Sequence, residues 1–201
     1  QYYNFAKWPK FRYVKTGSRT LSFPEAGTVR EDENRLMVPA RRSRRRDVGR
    51  SDMAEQTIDV RPVAGSLGAE IFGADLADNL TNQVYDEIHQ AFLDYQVLFI
   101  RDQKLTPPQQ AAFARRFGPL NDYPFVEGLK EAPEIIEIIK EPHETKNFGG
   151  VWHSDTTYLE EPPLGTALYA LEVPSAGGDT MFANMYEAYE TLSDGMKNML
   201  D

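Results

Sequence analysis

Four apolar residues at 97–100 (VLFI), followed by a helix start at Thr106, constrain this chain more than any other stretch. The run is bounded by polar residues, so it reads as a buried strand. Arg101, Asp102 and Gln103 close it. Thr106 is then a helix cap. Pro107 takes the first helical position, where a missing N–H costs nothing, and Gln109 completes a capping box. Phe113 and Phe117 fall one turn apart, and Gly118 supplies the stop. A strand feeding a capped helix implies a packed domain. The 41% apolar and 11% aromatic content is enough to give a chain of 201 residues a real core.

The flanking segments repeat this alternation. Thr57–Arg61 alternate as a strand does. Residues 66–76 mix apolar residues with glycine and read as a short strand ending in a turn. Thr81 caps a second helix, with Val84, Ile88, Ala91, Phe92 and Tyr95 at helical spacing. His89 lies beside that stripe and reads as a surface or satisfied residue rather than a ligand. Residues 134–140 (EIIEIIK) read as a strand, although their Ile spacing also suits a helix. Residues 141–150 are polar with Pro142 and two glycines, a loop in which His143 is solvated. Residues 165–173 form a strand, 174–179 a Gly-containing turn and 180–183 another strand. Asn184 and Glu187 open a last helix whose apolar face is Met185, Ala188, Tyr189 and Leu192. No internal repeat is present. Short strands, Gly/Pro turns and a few helices specify an α+β chain with a mainly β core. Few partner strands are visible for such a sheet, so the chain reads as the N-terminal part of a longer domain, truncated at its C-terminus.

Charge divides the chain. Residues 1–52 carry 13 Lys+Arg against 6 Asp+Glu, whereas residues 53–201 carry 9 against 25. The first stretch has no sustained helical or strand period and contains the basic run RRSRRR at 41–46. It reads as a disordered or non-native leader, with a nucleic-acid tail or transit segment as the alternative. Met53 is a plausible true start, which makes 53–201 the domain. The acidic domain repels nucleic-acid phosphates and anionic membranes. No stretch approaches the roughly 18 apolar residues that span a bilayer. The sequence has no Cys, which excludes disulfides and thiolate chemistry and fits a cytoplasmic protein.

Chemistry concentrates in residues 149–179. The triplet His153-Ser154-Asp155 places an imidazole and a carboxylate two residues apart, so on extended backbone both point the same way. That pair is two-thirds of a 2-His-1-carboxylate site, a ligand set that favours non-haem Fe(II) and leaves positions open. Alone, H-x-D is a short motif that also arises by chance. Trp152 beside it could wall a pocket, but core is the safer reading.

From Gly65 onward the chain resembles the taurine dioxygenase (TauD/TfdA) family of Fe(II)/2-oxoglutarate-dependent oxygenases. The resemblance rests on LGAEIFGADL, QVLFIRDQKLTPPQQAAFARRFGPL, WHSDTTYLEEPP and PSAGGDT, in the right order over roughly 135 residues. It implies a double-stranded β-helix, a jelly-roll-like core with flanking helices. It implies a dioxygenase that takes Fe(II), 2-oxoglutarate as cosubstrate and O2. Such an enzyme oxidises a small organic substrate, taurine-like or another small acid, and releases succinate and CO2. By resemblance, His153 and Asp155 are the first two metal ligands, and the Thr180 hydroxyl contacts a 2-oxoglutarate carboxylate. A β-former in a strand is the plainer reading of Thr180.

The resemblance also has gaps. The family's second His ligand and the Arg that pairs with 2-oxoglutarate lie far C-terminal of H-x-D, beyond Asp201, so the fragment is expected to be inactive by itself. Taurine-specific members carry His and Tyr in the loop after FG-x-L and an Asn four residues before the ligand His. Here those places fall at Tyr123, Val126 and Gly149. Tyr123, Phe125 and Phe148, with Gly149, make a more apolar substrate lining, which points to more carbon surface or a different acid group. The alternative is a jelly-roll binding module that has lost its iron chemistry. The expected partner is a small molecule, with no nucleic acid or membrane, and a homo-oligomer of the full-length protein is compatible with the family.

Overall fold

Strands β1 (Tyr2–Tyr3) and β2 (Lys10–Thr16) come first in a computed structural model that describes residues 2–3, 10–16, 57–121, 126–141, 143–145 and 150–201. The basic run at 41–46 and Met53 lie outside the described residues. Residues 10–16 differ from the reading of 1–52 as a leader without regular structure, because they pair with three other strands. Phe11, Tyr13 and Val14 of β2 are strong β-formers, but the stretch is too short to announce a period.

β3 (Asp59–Pro62), β4 (Ala69–Phe72) and β5 (Leu98–Phe99) form one sheet. β3 and β4 are antiparallel, whereas β4 and β5 are parallel. A parallel pair needs a long crossover, and helix α1 (Asn82–Tyr95) supplies it. The Thr81 side chain accepts from the Val84 N–H, as the sequence predicts, and the buried residues of α1 are Val84, Ile88 and Ala91. They pack with Ile58, Ile71, Leu76 and Leu105 as the main core. The run at 97–100 is a correction: only Leu98 and Phe99 form a strand, and both are half-buried. Among the described residues, β5 is the last strand in its sheet order and ladders with β4 over two residue pairs.

Helix α2 (Pro107–Arg115) has the expected capping box between Thr106 and Gln109 and Pro at its start. It ends before Gly118, in a turn where the Phe117 and Gly118 N–H groups bond to the carbonyls of Ala114 and Arg115. Phe113 and Phe117 meet edge to face with centroids 5.4 Å apart. Ala111 and Ala114 form a second core with Ala132 and Ile135.

The remaining strands are β6 (Leu120–Asn121), β7 (Ile136–Ile139), β8 (Gly165–Glu172) and β9 (Thr180–Met181). β2 pairs with β6, β7 and β8, all antiparallel, and β1 pairs with β9. The Ile-rich segment is therefore a strand, and the helix alternative falls. Asn184 caps α3 (Met185–Glu190) and Ser193 caps α4 (Asp194–Leu200). Neither helix has a buried residue. Met185 is 67% exposed, so the apolar face read from the sequence is largely open. The described architecture is α+β, with short strands in three sheets and four helices. Among the described residues, no helix is long and apolar enough to cross a membrane.

Candidate metal centre

The segment 150–163 is irregular rather than a strand. It leaves Gly150, runs through a turn at Thr157 and Tyr158, and reaches β8 after Pro162 and Pro163. Two prolines lack two ladder donors, which keeps this stretch out of a sheet. Trp152 is a correction to the core reading: it is 56% exposed, because the segment runs over the surface.

His153 and Asp155 nonetheless converge. His153 Nε2 lies 3.3 Å from Asp155 Oδ1. Metal bonds of about 2.0–2.2 Å meeting near a right angle put two ligand atoms about 3 Å apart, so the separation suits two neighbouring ligands of one ion. His153 Nδ1 lies 2.8 Å from the Val151 carbonyl. A carbonyl only accepts, so Nδ1 donates to it and Nε2 is the nitrogen turned toward Asp155. The other carboxylate oxygen, Oδ2, accepts from Thr166 Oγ1 at 2.9 Å. Both side chains are partly shielded, 27% and 15% exposed.

Backbone strain sits next to the pair. Thr156 has φ +45 and is buried. A β-branched residue with positive φ is an outlier, and such residues persist where the surroundings over-determine them.

Thr180 stands on β9, half-buried, with Tyr3 as its ladder partner. Gly177 and Gly178, with φ +79 and +74, make the turn that delivers it. Among the described residues, no hydrogen bond joins Thr180 to His153 or Asp155, and no three His, Cys, Asp or Glu side chains gather as a metal site. His143 is exposed. His89 stacks on Tyr85 at 5.8 Å and belongs to the aromatic group around Phe117. Tyr123, Phe125, Phe148 and Gly149 lie outside the described residues.

Thr166 was not legible from the sequence. It is the second residue of β8, and it meets Asp155 only because the chain folds back through the turn at Thr157 and Tyr158. The Val151 contact is made by backbone, so no residue type signals it.

The profile of the taurine catabolism dioxygenase TauD, TfdA family matches residues 59–201. The (S)-phenoxypropionate/alpha-ketoglutarate-dioxygenase of Sphingobium herbicidovorans is 35% identical over 149 residues, covering 69% of this chain and 49% of that protein. The alpha-ketoglutarate-dependent sulfate ester dioxygenase of Pseudomonas putida is 31% identical over 145 residues, 72% of this chain and 47% of that protein. A crystal structure described as a candidate alpha-ketoglutarate-dependent taurine dioxygenase from Burkholderia xenovorans matches with a TM-score of 0.57. It is 32% identical, and the match covers 71% of this chain and 50% of that one. The chain spans about half the length of the curated relatives it matches.

Proposed function

Because this chain belongs to the taurine catabolism dioxygenase TauD, TfdA family, we propose that its full-length protein is an Fe(II)- and 2-oxoglutarate-dependent dioxygenase of a small organic substrate. One observation carries the reading: His153 Nε2 and Asp155 Oδ1 face each other at 3.3 Å, with Nδ1 and Oδ2 already engaged. Nε2 and Oδ1 are thereby held toward each other at a spacing that suits a shared ion. When bound, ferrous iron with 2-oxoglutarate and O2 supplies the oxidation, with succinate and CO2 as products.

The chain's own residues bind and orient. His153 offers Nε2, its ring oriented by the Nδ1 hydrogen bond to the Val151 carbonyl. Asp155 adds negative charge, which favours a divalent cation over water in a partly shielded site. Thr180 is assigned the cosubstrate carboxylate, with its hydroxyl as donor. The fold closes in the full-length protein as a double-stranded β-helix. Tyr123, Phe125 and Phe148 are assigned to the substrate, with Gly149 leaving room. The names of the relatives, which cover a phenoxypropionate and sulfate esters, support an anionic substrate with substantial carbon surface.

Succinate formation triggered by aryl-oxy acids, sulfate esters or sulfonates in the full-length protein tests the activity. Isothermal titration with Co(II) in place of Fe(II) tests the site. His153→Ala is expected to weaken metal binding by about 100-fold, judged from the 10- to 100-fold losses seen when even supporting residues are removed. Wild-type protein that takes up no metal, or an unaffected His153→Ala, overturns the reading.

A further inference from the structure

Asp155 has two oxygens, and the fold treats them differently. Oδ1 faces His153, whereas Oδ2 accepts the Thr166 hydroxyl proton at 2.9 Å. Resting on the metal-centre reading above, we infer that Thr166 is a positioning residue, which holds the Asp155 carboxylate so that it offers one oxygen to the metal.

Thr166 is suited to this by its seat. It is the second residue of β8, paired with Lys15 of β2, so sheet hydrogen bonds fix its backbone. Before it, Gly165 packs against helix α1: a Cβ built there would lie 3.1 Å from Phe92 Cζ. Phe92 meets Phe117 edge to face with centroids 5.9 Å apart. The next residue, Ala167, has its carbonyl bonded by buried Gln110 of α2 at 3.2 Å. The hydroxyl therefore projects from a braced strand onto an irregular segment. A β-branched side chain has few χ1 states, which sharpens its aim. The strained backbone at Thr156 follows Asp155 directly in the chain. Fixing a carboxylate ligand through its second oxygen sets which lone pair reaches the ion and keeps coordination positions free for other groups.

The test uses the full-length protein and Co(II) alone, read by calorimetry and by the visible ligand-field spectrum, which reports ligand number and geometry. Thr166→Val keeps shape and branching but removes the donor. It is expected to weaken Co(II) binding about 10-fold and to change the spectrum. Thr166→Ser restores the hydroxyl and is expected to recover both. A purely structural role would move the melting temperature and leave the spectrum of bound metal unchanged. Should the Val variant fail to fold, Thr166→Ala read against Thr166→Ser decides the same question. Wild-type affinity and spectrum in the Val variant, or a Ser variant as weak as Val, overturns the inference while His153→Ala still weakens binding about 100-fold. Absence of binding in the wild type overturns the metal-centre reading and this inference with it.

Discussion

Residues 57–121 and residues 150–201 are held by different forces. The first region buries Ile58, Ile71, Val84 and Ile88 in one apolar cluster. The second has two helices without a buried residue and a loop that exposes Val151, Trp152 and Tyr158. Strands β8 and β9 aside, what orders its loop and its two helices is polar: side-chain caps, the Thr166 hydroxyl on Asp155, and the Val151 carbonyl on His153. Apolar burial is roughly additive in area and tolerant of direction, whereas hydrogen bonds are directional. The packed half supplies rigidity, and the polar half supplies aim.

The contrast can be broken most forcefully at Ile88, which is 0% exposed. Ile88→Ala is expected to lower unfolding free energy by about 3 kcal/mol in guanidinium titrations. Met199→Ala, on exposed α4, should stay within about 0.5 kcal/mol. Equal costs would erase the distinction. Caps sharpen it further. Thr106→Ala removes the side chain that accepts from Gln109 N and should cost about 1 kcal/mol of global stability. The same change at Ser193, which caps α4, should speed hydrogen exchange in that helix and barely move the global transition.

The smallest expected effect is electrostatic. Burial alone would raise the Glu87 pKa, but the N–H groups of Ile58 and Thr57, helped by Gln83, outweigh it and hold the carboxyl below its ordinary 4.5. A lowered folded pKa means that the contribution is complete above about 4.5 and fades as pH falls through the folded value. Glu87→Gln should therefore flatten the loss of stability on acidification below pH 4.5 and leave the curve near neutrality parallel to wild type. An unchanged acid limb in denaturation scans would show that the α1–β3 junction contributes no such linkage.

How much of this was legible in the sequence follows the same division. The caps at Thr81, Thr106 and Asn184 were readable, because capping depends on residues three apart. So were the buried stripe of α1 and the Ile-rich strand β7. The H-x-D spacing named the two side chains that meet, although the segment carrying them is a loop. Periodicity failed where it says which residues share a face but not what covers it: Met185 and its neighbours on α3 are exposed, and Trp152 lies at the surface. β2 was missed because its pairing is with distant residues. Thr166 was missed because its role arises only when the chain folds back on Asp155.

Asn184 shows what a sparse attachment implies. Its Oδ1 accepts from Tyr186 and Glu187, starting α3, while its Nδ2 donates to the Ser66 carbonyl at 2.7 Å. One amide thus both opens a helix and moors it to the β3–β4 loop, 118 positions earlier in the chain. Hydrolysis of that amide to a carboxylate, a common form of chemical ageing, would spare the first job and cancel the second, since a carboxylate has no proton to give. The damaged molecule would keep its helical content while α3 came loose from its mooring, a lesion invisible to circular dichroism and legible as a mass gain of about one dalton at a single peptide.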